Sequence, residues 1–120
     1  MNRGRTIAFN KEIRQARELI GNGEFEAGFH HLERAHVIGQ DYVVPHVTSH
    51  WLMLKVELRK KRPKAVFGQF VRIVLGTLGS AVGIVPVGNT GGTDVSMFKR
   101  MPIEPELQRI IDGVPPDRGA

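Results

Sequence analysis

The chain has 120 residues, of which 17 are Lys or Arg and 12 are Asp or Glu, giving a formal charge of +5. That length suits one helical domain, residues 1–120, with a single core, and a hydrophobic share of 41% excludes a disordered chain. The absence of cysteine excludes a disulfide framework, a Cys-ligated zinc site and thiol catalysis.

Glycine and proline divide the sequence into segments. Thr6 to Ile20 carries Ile13, Ala16 and Ile20 at helical spacing, with Thr6 or Asn10 as cap. Gly21 and Gly23 turn the chain. In the second segment, Glu24 to Val37, Phe25, Phe29, Leu32 and His36 fall on one stripe. Gly39 closes that helix and QDYVV connects it to a third. Pro45 stands in the third helix's first turn, where proline is tolerated. That helix carries Val47, Trp51, Leu54 and Leu58 on an apolar face and ends near Arg62.

The fourth segment, Lys64 to about Val82, is the most apolar, broken early only by Gln69 and Arg72. Its uncharged stretch from Ile73 to Val87 is shorter than the roughly 20 residues of a membrane span and is rich in glycine. It reads as a buried core helix. A glycine-rich loop follows, then a short helix from about Pro105 to Ile111, with about 114–120 as a frayed tail. The expected fold class is all-α: four main helices in a small antiparallel bundle, the loop, and the short C-terminal helix. Ala16, Gly23, Phe25 and Ala35 resemble the small and aromatic positions of a tetratricopeptide-type hairpin, without a second copy at a period of about 34 residues.

A pI near 10.1 invites a nucleic-acid reading. Only Arg59, Lys60, Lys61, Arg62 and Lys64 form a run, however, and the end of a helix favours cations whatever the function. No aromatic pattern interleaves it, so the sequence argues against a nucleic-acid partner. The N-terminus MNRGRTIAFN turns polar too soon for a secretory signal, which leads us to expect a cytoplasmic protein.

All five histidines, at 30, 31, 36, 46 and 50, lie in the second and third segments. At about 100° per residue, His30 and His31 point away from the apolar stripe and are expected in solvent. His36 lies within the stripe, and Glu33 forms an E-x-x-H pair with it, a spacing that projects a carboxylate and an imidazole toward one ion. His46 and His50 are one turn apart on one face, which Met53 and Glu57 continue. His36 is in the last turn of its helix and His46 in the first turn of the next, so an antiparallel pair brings them together. Glu33, His36, His46 and His50 then offer three nitrogens and a carboxylate to a divalent transition metal: zinc, iron, nickel or copper. The competing reading is a structural polar network in which Glu33 and His36 satisfy each other.

In GNTGG, Gly88 to Gly92, no lysine follows as it would in a phosphate-binding loop, so the glycines read as positions of positive φ. Gln69 and Arg72 are expected to hydrogen-bond this loop or to pair with Asp94.

HLERAHVIGQ (His31 to Gln40), PHVTSHWLML (Pro45 to Leu54), GQFVR, PVGNTGG and MPI together resemble a bacterial family of small proteins classed as a domain of unknown function. The resemblance covers nearly the whole chain and implies no activity. The functional expectation is a transition-metal-binding helical protein that handles or senses metal. The alternative is a helical module that binds a protein partner or a second copy of itself. For an enzyme, Glu57 is the candidate base beside a metal-activated water, but no Ser-His-Asp or paired-carboxylate arrangement supports a named reaction.

Overall fold

A computed structural model describes residues 1–114. Its elements are α1 (Arg3–Gly21), α2 (Phe25–Gly39), α3 (Val43–Arg59), α4 (Pro63–Ala81) and α5 (Pro105–Ile111), with no strand among the described residues. The tail expected to fray lies, from residue 115 onward, outside the described residues.

Helix α1 begins three residues before the expected Thr6. Asn2 caps it by accepting the Arg5 N–H at 2.8 Å, so neither Thr6 nor Asn10 starts the helix. The extra turn is held from outside. Arg5 is buried, with Nε donating to the Ile38 carbonyl at 2.6 Å and an ion pair to Asp41 at 3.0 Å. Gly23, at φ +81°, turns the chain into α2. The α1–α2 hairpin packs closely because Gly28 has no side chain: a Cβ there would meet Ile20 Cγ1 at 2.6 Å. Phe9, Ile13, Ala16, Leu32, Ala35 and Ile38 form its core, which continues through Leu52, Met53 and Val56 of α3 to Leu107 of α5. Gly39 lies inside α2, where it lets Phe9 and Pro45 approach.

The second hairpin, α3–α4, packs in a way the periodicity did not indicate. Trp51 and Leu58 do not face the core; they are 53% and 55% exposed. Nor is α4 a buried core helix. Its inner face carries Ala65, Gln69, Arg72, Gly76 and Ser80, while Phe67, Phe70, Val74, Leu78 and Val82 form an exposed outer stripe. The reason is that α4 meets the bundle chiefly through α3. Its small and polar face fits against the histidines, leaving the apolar face uncovered.

From α4 the chain runs over the α2–α3 end and back to α5. Gln40 ties this segment down by donating to the Pro86 carbonyl at 3.1 Å and accepting the Gly88 N–H at 2.9 Å. Gly88 and Gly91 both adopt positive φ, at +80° and +84°. The structural reading of the glycine-rich loop therefore holds.

Candidate metal centre

Three histidines from two helices meet under this loop. His36, from the last turn of α2, and His46 and His50, one turn apart on α3, are each at most 4% exposed. The short connector between the helices brings their ends together, as the spacing predicted. His36 Nε2 lies 3.0 Å from His50 Nε2, and His50 Nε2 lies 3.2 Å from His46 Nε2. One ligand atom from each of the three falls within 4.8 Å of the others, a group that could hold a metal ion.

The other ring nitrogens identify which atoms carry hydrogen. His36 Nδ1 is 2.7 Å from the Asn89 carbonyl, which can only accept. His46 Nδ1 is 2.5 Å from Ser80 Oγ, whose hydrogen is already given to the Gln40 carbonyl at 2.9 Å. His50 Nδ1 is 2.7 Å from Gln69 Oε1, and the Gln69 amide is oriented by donating to the Gly91 carbonyl at 3.0 Å. Each Nδ1 therefore donates, so in a neutral ring each Nε2 is a bare lone pair. Burial, the leading cause in all three, keeps them neutral. It pushes His46 and His50 down to about 4 and holds His36 well below its usual value, with the neighbouring His50 and His46 adding to the effect on His36. Three converging lone pairs repel one another, and neither close Nε2 pair has a hydrogen to share. A tetrahedral ion with bonds of 2.0–2.1 Å requires ligand nitrogens about 3.3 Å apart, close to the two separations observed.

Close packing holds the rings in place. A Cβ on Gly91 would meet His36 Cδ2 at 2.7 Å, and one on Gly76 would meet His46 Cε1 at 3.0 Å. Asn89 secures the loop through donation to the Ser96 and Lys99 carbonyls, at 2.8 and 2.7 Å, and acceptance of the Gly91 N–H at 2.9 Å. Gln69, Ser80 and Asn89 thus fix the orientation of the three candidate ligands, as outer partners of metal-bound imidazoles do. The sequence pointed to Gln69 through its polarity on an apolar segment, and its bond to the loop is present. Ser80 and Asn89 gave no such signal. Arg72 also reaches the loop, through the Gly91 and Val95 carbonyls, and forms no ion pair with Asp94.

The fourth residue of the expected ligand set is elsewhere. Glu33 lines a separate small cleft with His30, Arg34 and Thr90, and burial raises its pKa. Three residues of helix place its side chain about 60° around from that of His36, and the loop separates the two directions. Glu33 and His36 therefore do not satisfy each other. Glu57 is buried and pairs with Arg62 at 3.3 Å, away from the imidazoles. His31 is not left in solvent: its Nδ1 lies 2.6 Å from Glu12, which Arg34 also contacts at 2.9 Å. His30 is exposed, as expected.

A cavity of about 530 Å³ opens over the three rings. Leu75, Ile84, Met97 and Phe98 supply apolar wall, and Arg72 and Arg100 its charge. Its volume is that of a small-molecule site.

Residues 4–111 match the model of a family described as "Protein of unknown function (DUF3703)". The chain belongs to that family. No curated protein and no solved structure matches it. This membership fits the resemblance in the sequence motifs and carries no activity with it. Among the described residues, no helix is long and apolar enough to cross a membrane.

Proposed function

We propose that this protein binds one divalent transition metal ion through Nε2 of His36, His46 and His50, leaving a further coordination position open to the cavity. The observation that carries the reading is the set of three Nδ1 donors, which leaves three bare nitrogens facing one another in a buried site. Imidazole nitrogens suit zinc, iron(II), nickel and copper(II). Three protein ligands beside a cavity is the arrangement of an ion that engages a small ligand, whereas a purely structural site is closed by a fourth residue. Metal handling or sensing is the role this supports, and catalysis on a bound ligand uses the same open position. The test is metal analysis of untagged protein with zinc, nickel and iron titrations of the chelator-treated form. One ion per chain, lost in His46→Ala and His50→Ala, is the expected result. Substoichiometric metal and unchanged melting with all three ions would end the proposal.

A second reading rests on the outer stripe of α4. Phe67, Phe70, Val74, Leu78 and Val82 are apolar, exposed and follow one another at steps of three or four residues along one side of the helix. The same stripe on a second copy is self-complementary about a two-fold axis, so we propose a homodimer through α4. Sedimentation at micromolar concentration should give a dimer that Phe70→Glu converts to monomer. A wild-type monomer at that concentration would refute it.

A further inference from the structure

The cavity above the imidazoles has an electrostatic imbalance that the metal alone makes worse. Arg72 is 9% exposed and lines the cavity, yet its hydrogen bonds run to the Gly91 and Val95 carbonyls. No carboxylate among the described residues forms an ion pair with it. Arg100 lies at the exposed mouth of the same cavity, and no Asp or Glu is among the lining residues. Neutral imidazoles do not cancel a divalent ion's charge either. A buried cation without a close counter-charge is costly. Asp94 acts on Arg72 only beyond ion-pair distance and is itself exposed and paired with Arg62 at 3.6 Å, so a divalent ion seated here would join two arginines with no carboxylate among the described lining residues.

The walls provide the other half of the specificity. Leu75, Ile84, Met97 and Phe98 form an open apolar wall, its Leu75, Ile84 and Phe98 exposed to solvent, and such a surface gains by covering hydrocarbon. An inorganic anion would satisfy the charges and leave this surface wet. An apolar alcohol would fill the space and leave Arg72 unpaired.

We propose that the cavity binds a small monocarboxylate with a hydrocarbon body, its head group between Arg72 and the open metal position and its tail against Leu75, Ile84, Met97 and Phe98. The metal contact rests on the reading above; the Arg72 contact and the apolar walls do not. One carboxylate oxygen takes the open position while the other accepts from the guanidinium, a charge-assisted pair.

Hexanoate, hexanol and acetate are the probes, titrated calorimetrically into both zinc-loaded and chelator-treated full-length protein. Hexanoate should bind the zinc-loaded form at least about tenfold more tightly than hexanol or acetate. Chelation should weaken it without abolishing it. Arg72→Gln should remove most of the preference for hexanoate over hexanol while retaining zinc, and Arg72→Lys should restore part of it. Because the comparison of three probes on the unaltered protein stands by itself, misfolding of a variant leaves the test intact. Hexanoate binding no better than hexanol to protein that holds zinc would overturn this inference and spare the metal site. Arg72-dependent hexanoate binding by protein that takes up no metal would overturn the metal site and support the cavity's selectivity.

Discussion

Replacing Gly91 with alanine tests whether the loop and the imidazoles form one unit. Gly91 sits at φ +84°, a conformation that costs an L-residue about 1–2 kcal/mol. The new Cβ would also stand 2.7 Å from His36 Cδ2 and 2.9 Å from both Cγ and Nε2. That ring is fully buried, bonded at Nδ1 to Asn89 and beside two other rings, so it has little room to yield. Forcing a methyl into such packing costs about 1–3 kcal/mol, and the total is about 2–5 kcal/mol. Gly23→Ala is the control. Gly23 has nearly the same φ, +81°, with nothing within 4 Å of its Cβ position, so it should cost only the backbone share, about 1–2 kcal/mol. Urea midpoints of metal-free protein at pH 7.5 measure the difference. A second measurement adds zinc, which at 100 times its Kd stabilises the native state by about 2.7 kcal/mol. On the proposed metal site, Gly23→Ala should keep that increment and Gly91→Ala should lose much of it, because the displaced atom set includes His36 Nε2, the nitrogen proposed to bind. Equal midpoints for the two variants, with equal zinc increments, would show that the loop does not press on the site.

Acid should weaken the metal-free protein in a defined window. His46 and His50 fall from 6.5 to about 4 on folding, so the unfolded chain binds more protons, and the stability present above pH 6.5 is lost as pH falls toward 4. Each ring accounts for about 2 kcal/mol of loss at pH 5 by linkage, with His36 acting in the same direction. Urea midpoints at pH 7.5, 6 and 5 in chelator check this, and a flat profile would contradict the burial of the rings. In denaturant melts, His36→Ala should cost more than about 1 kcal/mol, since it strands the buried Asn89 carbonyl, whereas His30→Ala on the exposed side of α2 should stay within about 0.5 kcal/mol. Comparable losses for the two would remove His36 from the core network.

Local rules carried much of this protein. Apolar spacing and glycine and proline punctuation were enough to locate five helices. Asn2 and the long-range bonds of Arg5 account for the misplaced start of α1, because a cap is visible in sequence only where the helix is already known to begin. The meeting of His36 with His46 and His50 was legible because a short connector joins the two helix ends that carry them. Such a connector leaves few ways to pack. What the tertiary structure alone decided is which face meets which. The apolar period of α4 suggested burial, yet its small and polar side is the one turned inward, since only that side fits Gly76 against His46 and brings Gln69 and Ser80 to the Nδ1 atoms. Glu33 shares a helix with His36 but diverges from it around the axis, and a loop more than 50 residues later in the chain supplies the carbonyl that His36 binds instead. Periodicity fixes which residues share a face of one helix. Contacts between distant segments determine what that face touches, and so which nitrogen of each ring carries the hydrogen and which is left bare.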